Sequence, residues 1–296
     1  QRVLLIKNGT VNTITQGIQK IGILIKDKKI VAMGEKLNSL STEFVLDGEA
    51  IGREDDYEEL NKELRANGEF DFDPNTDTLE IIDAQGQFIY PGFIDAHTHL
   101  GLWEDGMGVE GADGNEETDP ITPHLNVIDG INPMDRTFKE AYEGGITAVC
   151  TTPGSANVMG GQAAAIKTYG RRIDKMVIKN PVASKVAFGE NPKSCYGSNE
   201  DTPQTRMAIA ALLRENLRKG EEYLYDLKCA EEDEDIDKPE YDIKLESLIP
   251  VLKKEIPLKA HAHRADDMFT AIRIAQEFDL KLTIDHCTEG HMIVEE

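Results

Sequence analysis

The stretch from residue 91 to residue 101, PGFIDAHTHLG, places two histidines, His97 and His99, one residue apart at the end of an apolar run. Alternate residues of a strand share a face, so a strand here turns both imidazoles the same way. Alone, such a pair is as ordinary as any two polar residues on a strand. Two later runs repeat the arrangement: LKAHAH ends in His261 and His263, and LTIDH ends in His286. The chain has seven histidines, and five of them at strand ends is a concentration that a structural role explains poorly. Neutral imidazoles converging on one place suit a divalent metal of the zinc type.

Working outward, FIDAHTHL, ITAVCTTPG, SKVAFGEN, LKAHAH and KLTIDH read as strands. DRTFKEAYEGG, TPQTRMAIAALLRENLRKG, LESLIPVLKKE and DDMFTAIRIAQEFD read as helices, the second with Thr202 as N-cap and Pro203 in its first turn. AAAIKT and KMVIK are further strand candidates. Alternation of this kind predicts a parallel sheet, here a (β/α)8 TIM-type barrel over residues 91–296 with its chemistry at the C-terminal strand ends. About six of the eight strands can be counted. Glu190 and Lys185 are the candidates for a bridging ligand, the lysine only after carbamylation. They are five residues apart, so a regular strand turns at most one of them inward.

Residues 1–90 have a different texture. VLLIKNG, TVNTIT, GILIKD and KIVAMGE alternate apolar and polar residues, with Asn-Gly and Asp-Lys-Lys marking bends. This predicts a small β-sandwich domain. An acidic segment at about residues 45–78 interrupts it, with helical spacing of Tyr57, Leu60 and Leu64. Within it Asp71, Asp73, Asn75 and Asp77 alternate as in part of a calcium loop, but the glycine and glutamate such a loop needs are missing.

The net charge of -23 leaves no basic stripe for phosphates, which argues against nucleic acid and anionic membranes as partners. No window approaches the ~18 apolar residues of a membrane span, and no signal peptide is read at the start. Cys150, Cys195, Cys229 and Cys287 lack CxxC spacing, as expected for reduced thiols in a cytoplasm. The expected partner is a small-molecule substrate, with a homo-oligomer as one option. The segment GLWEDGMGVEGADGNEETDPITPH, which holds Trp103 and His124, reads equally as a specificity loop or as a surface excursion. GSANVMGGQ lacks the spacings of a phosphate-binding loop.

PGFIDAHTHLG after a small β domain, then GGITAVCTTPGSANVMGGQ, VAFGENPK, HAHRADD and IDH, resembles the amidohydrolase superfamily. Within it the sequence is most similar to imidazolonepropionase-related and prolidase-like members. The resemblance implies a metal-dependent hydrolase acting on a C–N bond, with one or two zinc ions, or manganese or iron. It implies that His97 and His99 bind the more buried metal and that His261 is the next ligand. His263 becomes a substrate contact, though the two can exchange roles. His286 holds a second metal or a substrate carbonyl, so His263 and His286 are the implied catalytic residues. Lys185 corresponds to the carbamylated lysine of dinuclear members, and Glu190 to the carboxylate of others. The family's last ligand, an aspartate on strand eight, has no counterpart before Glu296, and the C-terminal strands are expected to be missing from this chain. The rival reading is a non-catalytic barrel serving as an assembly or interaction module, whose mark would be loss of the histidines.

Overall fold

The computed structural model describes residues 2–39, 45–46, 49–50, 62, 77–198 and 200–296. The chain divides into two units, Gln1–Pro91 and Gly92–Glu296. The helical reading around Tyr57 to Leu64, and Asp71, Asp73 and Asn75 of the calcium-like run, lie outside the described residues. Asp77 is described: it is buried and lies 3.1 Å from Lys26 Nζ.

In the first unit, β1 (Arg2–Asn12), β2 (Ile18–Lys26), β3 (Lys29–Gly34), β4 (Thr78–Asp83) and β5 (Phe88–Ile89) form one five-stranded sheet. VLLIKNG and TVNTIT are not two strands, as Asn-Gly suggested, but one. The Asn8–Gly9 step is a bulge, with the register against β2 shifting between Ile6 and Gly9. Asn8 takes a left-handed φ of 58°, and a side chain at Gly9 would strike Ile89. One extra residue exchanges the faces of a strand. Leu5 therefore packs with Val3, Leu24 and Leu79, whereas Val11 packs on Ile21 and Ile23. Asp27 and Lys28, at φ 50° and 66°, make the tight turn read from Asp-Lys-Lys. Beyond this sheet, a two-residue pairing of Val45–Leu46 with Glu49–Ala50 is the other strand pair among the described residues of this unit. A second sandwich layer is not among them.

The second unit is built on a six-stranded sheet in sequential order: β6 (Phe93–Thr98), β7 (Ile146–Thr151), β8 (Met159–Lys167), β9 (Val177–Ala187), β10 (Leu258–Ala262) and β11 (Leu282–His286). It is a mixed α/β arrangement, but not the wholly parallel one that alternation predicts. β8 runs antiparallel to both β7 and β9, while β6–β7, β9–β10 and β10–β11 are parallel pairs. The reason lies in the link between β8 and β9. Only a short 3₁₀ turn, Ile173–Lys175, joins them, and a parallel connection needs a crossover of a dozen or more residues. The sheet curls, because His97 on its first strand comes within 2.9 Å of Asp285 on its last.

Four longer helices accompany this sheet: α1 (Arg136–Glu143), α2 (Glu190–Gly197), α3 (Arg206–Glu232) and α4 (Ala265–Glu277). α1 is the helix read from DRTFKEAYEGG; the Asp135 side chain caps it and Gly144 ends it. α3 begins later than expected: the capping side chain is Thr205, accepting from the amide of Ala208, not Thr202. It also runs through Gly220, whose missing side chain lets Leu252 and Leu248 approach. LESLIPVLKKE is two short turns, Ile243–Glu246 and Ile249–Leu252, because Pro250 cannot donate within a continuous helix. The main core lies between the sheet and these helices, with Leu213, Leu217, Leu258, Ala260 and Ile274 fully buried. Among the described residues no helix is long and apolar enough to cross a membrane.

Candidate metal centre

The ends of β6, β10 and β11 bring five histidines together. The ring centre of His97 is 5.2 Å from that of His99 and 4.8 Å from that of His286. His261 meets His286 at 4.6 Å and His263 at 4.7 Å, both edge to face. His263 and His286 stack at 4.8 Å. Nitrogens of His261, His263 and His286 fall within 4.8 Å of one another, a grouping able to hold a cation.

These groups sit where apolar packing would be expected. His261 is 3% exposed, and neither of its ring nitrogens has a hydrogen-bond partner. His97 Nδ1 faces Asp285 Oδ2 at 2.9 Å without an aligned hydrogen bond, and His97 Nε2 has no partner. Lys185 is fully buried with an unpaired Nζ, 3.9 Å from the same carboxylate oxygen. A buried polar atom left unpaired costs roughly 1–3 kcal/mol. So many in one place mark donors arranged for something other than each other.

Burial works against protonation of three of these imidazoles, His99, His261 and His286. Burial, then the charge of Lys185, lowers the pKa of His261 to about 3. Burial lowers His286 and His99 as well, and for His99 a bond with the Thr152 carbonyl only partly offsets it. That bond, 2.8 Å long, fixes the tautomer. A carbonyl only accepts, so Nδ1 of His99 carries the proton and Nε2 keeps a lone pair for a ligand. Burial pulls Lys185 down to about 8 against the opposing pull of Asp285. For Asp285, burial raises the carboxyl, but His97 and Lys259 outweigh it and bring the pKa to about 2.

Of the residues singled out from sequence, His97, His99, His261, His263, His286 and Lys185 converge here. Glu190 does not join them. β9 ends at Ala187, and Glu190 is the exposed first residue of α2, with its charge acting on Arg206. Two members of the cluster escaped the sequence reading. Asp285 immediately precedes His286, and strict alternation would point them to opposite faces. Left-handed backbone at His286 and Cys287, φ 71° and 47°, breaks that alternation as the strand ends. Lys259, buried and bonded to Asp285 Oδ1 at 2.5 Å, shares the face of His261 and was legible from period two alone.

The long segment after β6 is fastened for much of its length. The Asn157 side chain donates to the carbonyls of Glu116 and Asp119, and the Tyr196 hydroxyl donates to the same two. Its amides and carbonyls at Thr122 and Leu125 pair with β8. Trp103 stands 5.1 Å from His99, edge on, and packs over Gly114. A cleft of about 420 Å³ opens beside it, lined by Asp113, Glu116, His124, Asp129 and Pro153 among others. Pro153 follows the Thr152 that holds His99, so the cleft adjoins the centre.

No family profile matches the sequence. The chain is 30% identical over 236 residues to the amidohydrolase tasK of Hapsidospora irregularis, a match that takes in 73% of this chain and 24% of that protein. An amidohydrolase of Thermotoga maritima MSB8, known from its crystal structure, has 39% identity and a TM-score of 0.81, over 98% of this chain and 66% of its own. The chain thus spans about a quarter of the curated relative and about two thirds of the solved one. Likeness in sequence and in fold, over nearly the whole of this chain, supports its placement in the amidohydrolase superfamily.

Proposed function

We propose that the protein is a metal-dependent hydrolase of a carbon–nitrogen bond in an amide, a peptide or a cyclic amide. The observation that carries this reading is the buried, unpaired set of imidazole nitrogens on His97 and His261. Imidazole nitrogen donors in a closed setting fit zinc best, with manganese or iron as alternatives. His97, His99 and His261 would hold one ion, and His286 with Lys185, once carbamylated, a second. Such ions supply an acidified water and polarise the substrate carbonyl.

The chain's own residues do the rest. The Thr152 carbonyl presents the lone pair of His99 inward. His263, tied through Nδ1 to the Thr288 hydroxyl at 2.7 Å, is held with Nε2 available to a substrate oxygen. It stacks on His286 at the accessible side of the cluster, where its Nε2 can donate to a developing oxyanion. Trp103 and the adjoining cleft bound the space beside His99.

The test is metal analysis of the protein followed by a hydrolysis screen over N-acyl amino acids, dipeptides and cyclic amides. Stoichiometric zinc, manganese or iron, and activity abolished by chelation and restored by metal, are expected. Protein that binds no divalent ion under any condition would sink the reading.

A further inference from the structure

One buried cation is not accounted for by ligation. Lys259 lies on β10 two residues before His261, so the two share a face. Its side chain is 9% exposed and its Nζ is 2.5 Å from Asp285 Oδ1. The other oxygen of that carboxylate faces two groups of the centre, His97 Nδ1 at 2.9 Å and Lys185 Nζ at 3.9 Å. A carboxylate has one rotatable plane. Fixing Oδ1 on Lys259 decides where Oδ2 goes.

We propose that Lys259 is a positioning residue of the histidine centre: it holds Asp285 so that the free carboxylate oxygen locks the ring of His97, leaving Nε2 as the nitrogen offered to a cation. This rests on the cluster being a cation centre. The chain of contact is Lys259 to Asp285 to His97, and no step of it needs Lys259 to touch metal or substrate. An anionic oxygen 2.9 Å from Nδ1 favours, through its charge, the His97 tautomer with the proton on that nitrogen. Partners of this kind beyond the ligands are worth tenfold to a hundredfold in metal affinity. The same carboxylate stands beside the amine of Lys185, so the lysine on Asp285 Oδ1 also keeps two neighbouring positive groups on opposite sides of one anion.

Three full-length variants test it: Lys259→Met, Lys259→Arg, and Lys259→Met combined with Asp285→Asn. Two readouts are taken, zinc affinity by competition titration and the ring nitrogen shifts of His97 in metal-free protein. Lys259→Met is expected to weaken zinc binding tenfold to a hundredfold and to leave His97 in a mixture of tautomers, and Lys259→Arg to recover most of both. The neutral double variant separates positioning from simple support of the fold. It is expected to melt close to the wild type, even if Lys259→Met alone does not fold, yet to bind zinc as poorly as the single variant. Wild-type affinity and a single His97 tautomer in the double variant would overturn the proposal. A wild type that takes up no zinc would instead bring down the cation centre. The tautomer measurement needs no metal and still decides the part played by the lysine.

Discussion

The two faces of β10 are both buried and chemically opposite. Leu258, Ala260 and Ala262 belong to the apolar core and are fully buried there. Lys259 and His261, on the other face, are buried too, and His261 has no partner for either nitrogen. Burial alone therefore does not distinguish packing from function along this strand; satisfaction does. The outer face is complete as it stands. The inner face is complete only with something added, and the folded chain carries its cost until then.

Substitutions on the two faces should separate cleanly. His261→Ala removes an inner group with no partner, so hydrolysis and high-affinity cation uptake are expected to vanish while the melting temperature of the metal-free protein stays within a few degrees. Calorimetry with a zinc titration checks both, and an unchanged affinity would break the comparison. Leu258→Ala does the reverse. It should lower stability by about 2–5 kcal/mol in chemical denaturation, with zinc affinity unchanged well below the melting point.

Acid should reach the inner face first. In the unfolded chain a histidine titrates near its usual 6.5, but in the fold His261 is held at about 3. Below 6.5 the unfolded state takes up protons that the folded state refuses, so metal-free protein should lose stability as the pH falls from about 6.5 towards 3. Asp285, lowered from 3.8 to about 2, adds a further loss in the same direction between those values. His261→Phe should flatten the upper part of the slope in denaturant titrations over pH; a slope equal to the wild type would refute the assignment.

A smaller effect is expected at Lys185. Replacing its buried, unpaired amine by Lys185→Met should raise stability of the metal-free protein by roughly 1 kcal/mol and remove any bicarbonate-dependent change in metal content. A fall in stability would mean that its attraction to Asp285 outweighs its burial. Smallest of all, Trp103→Ala should alter KM a few-fold with little change in kcat, because the indole borders His99 from outside the cluster.

Period-two spacing made the histidine cluster legible, since a short strand end offers few ways to turn HxH other than together. The helix in DRTFKEAYEGG was legible because a glycine that ends a helix is local chemistry. The direction of β8 was not, since AAAIKT reads the same in a parallel or an antiparallel place. What decides it is the short Ile173–Lys175 turn and the pairing of β8 with the loop at Leu125, both tertiary facts. The late start of α3 was hidden because Thr202 and Thr205 both suit a cap, and only the fold chooses between them. Glu190 was misplaced as a strand end because β9 stops three residues earlier, ahead of the positive φ of Gly189.

The left-handed turn at His286 and Cys287 bears on how densely a strand can be furnished. A regular strand presents one side chain to a given face about every 6.7 Å. By twisting at its last residue, β11 delivers two unlike groups, a carboxylate and an imidazole, from neighbouring positions whose Cα atoms are about 3.8 Å apart. Anion and base thus come from one chain end rather than from two separate elements. The tolerance of positions 286 and 287 is correspondingly narrow: a β-branched residue at either would resist the positive φ and return the strand to one group per face.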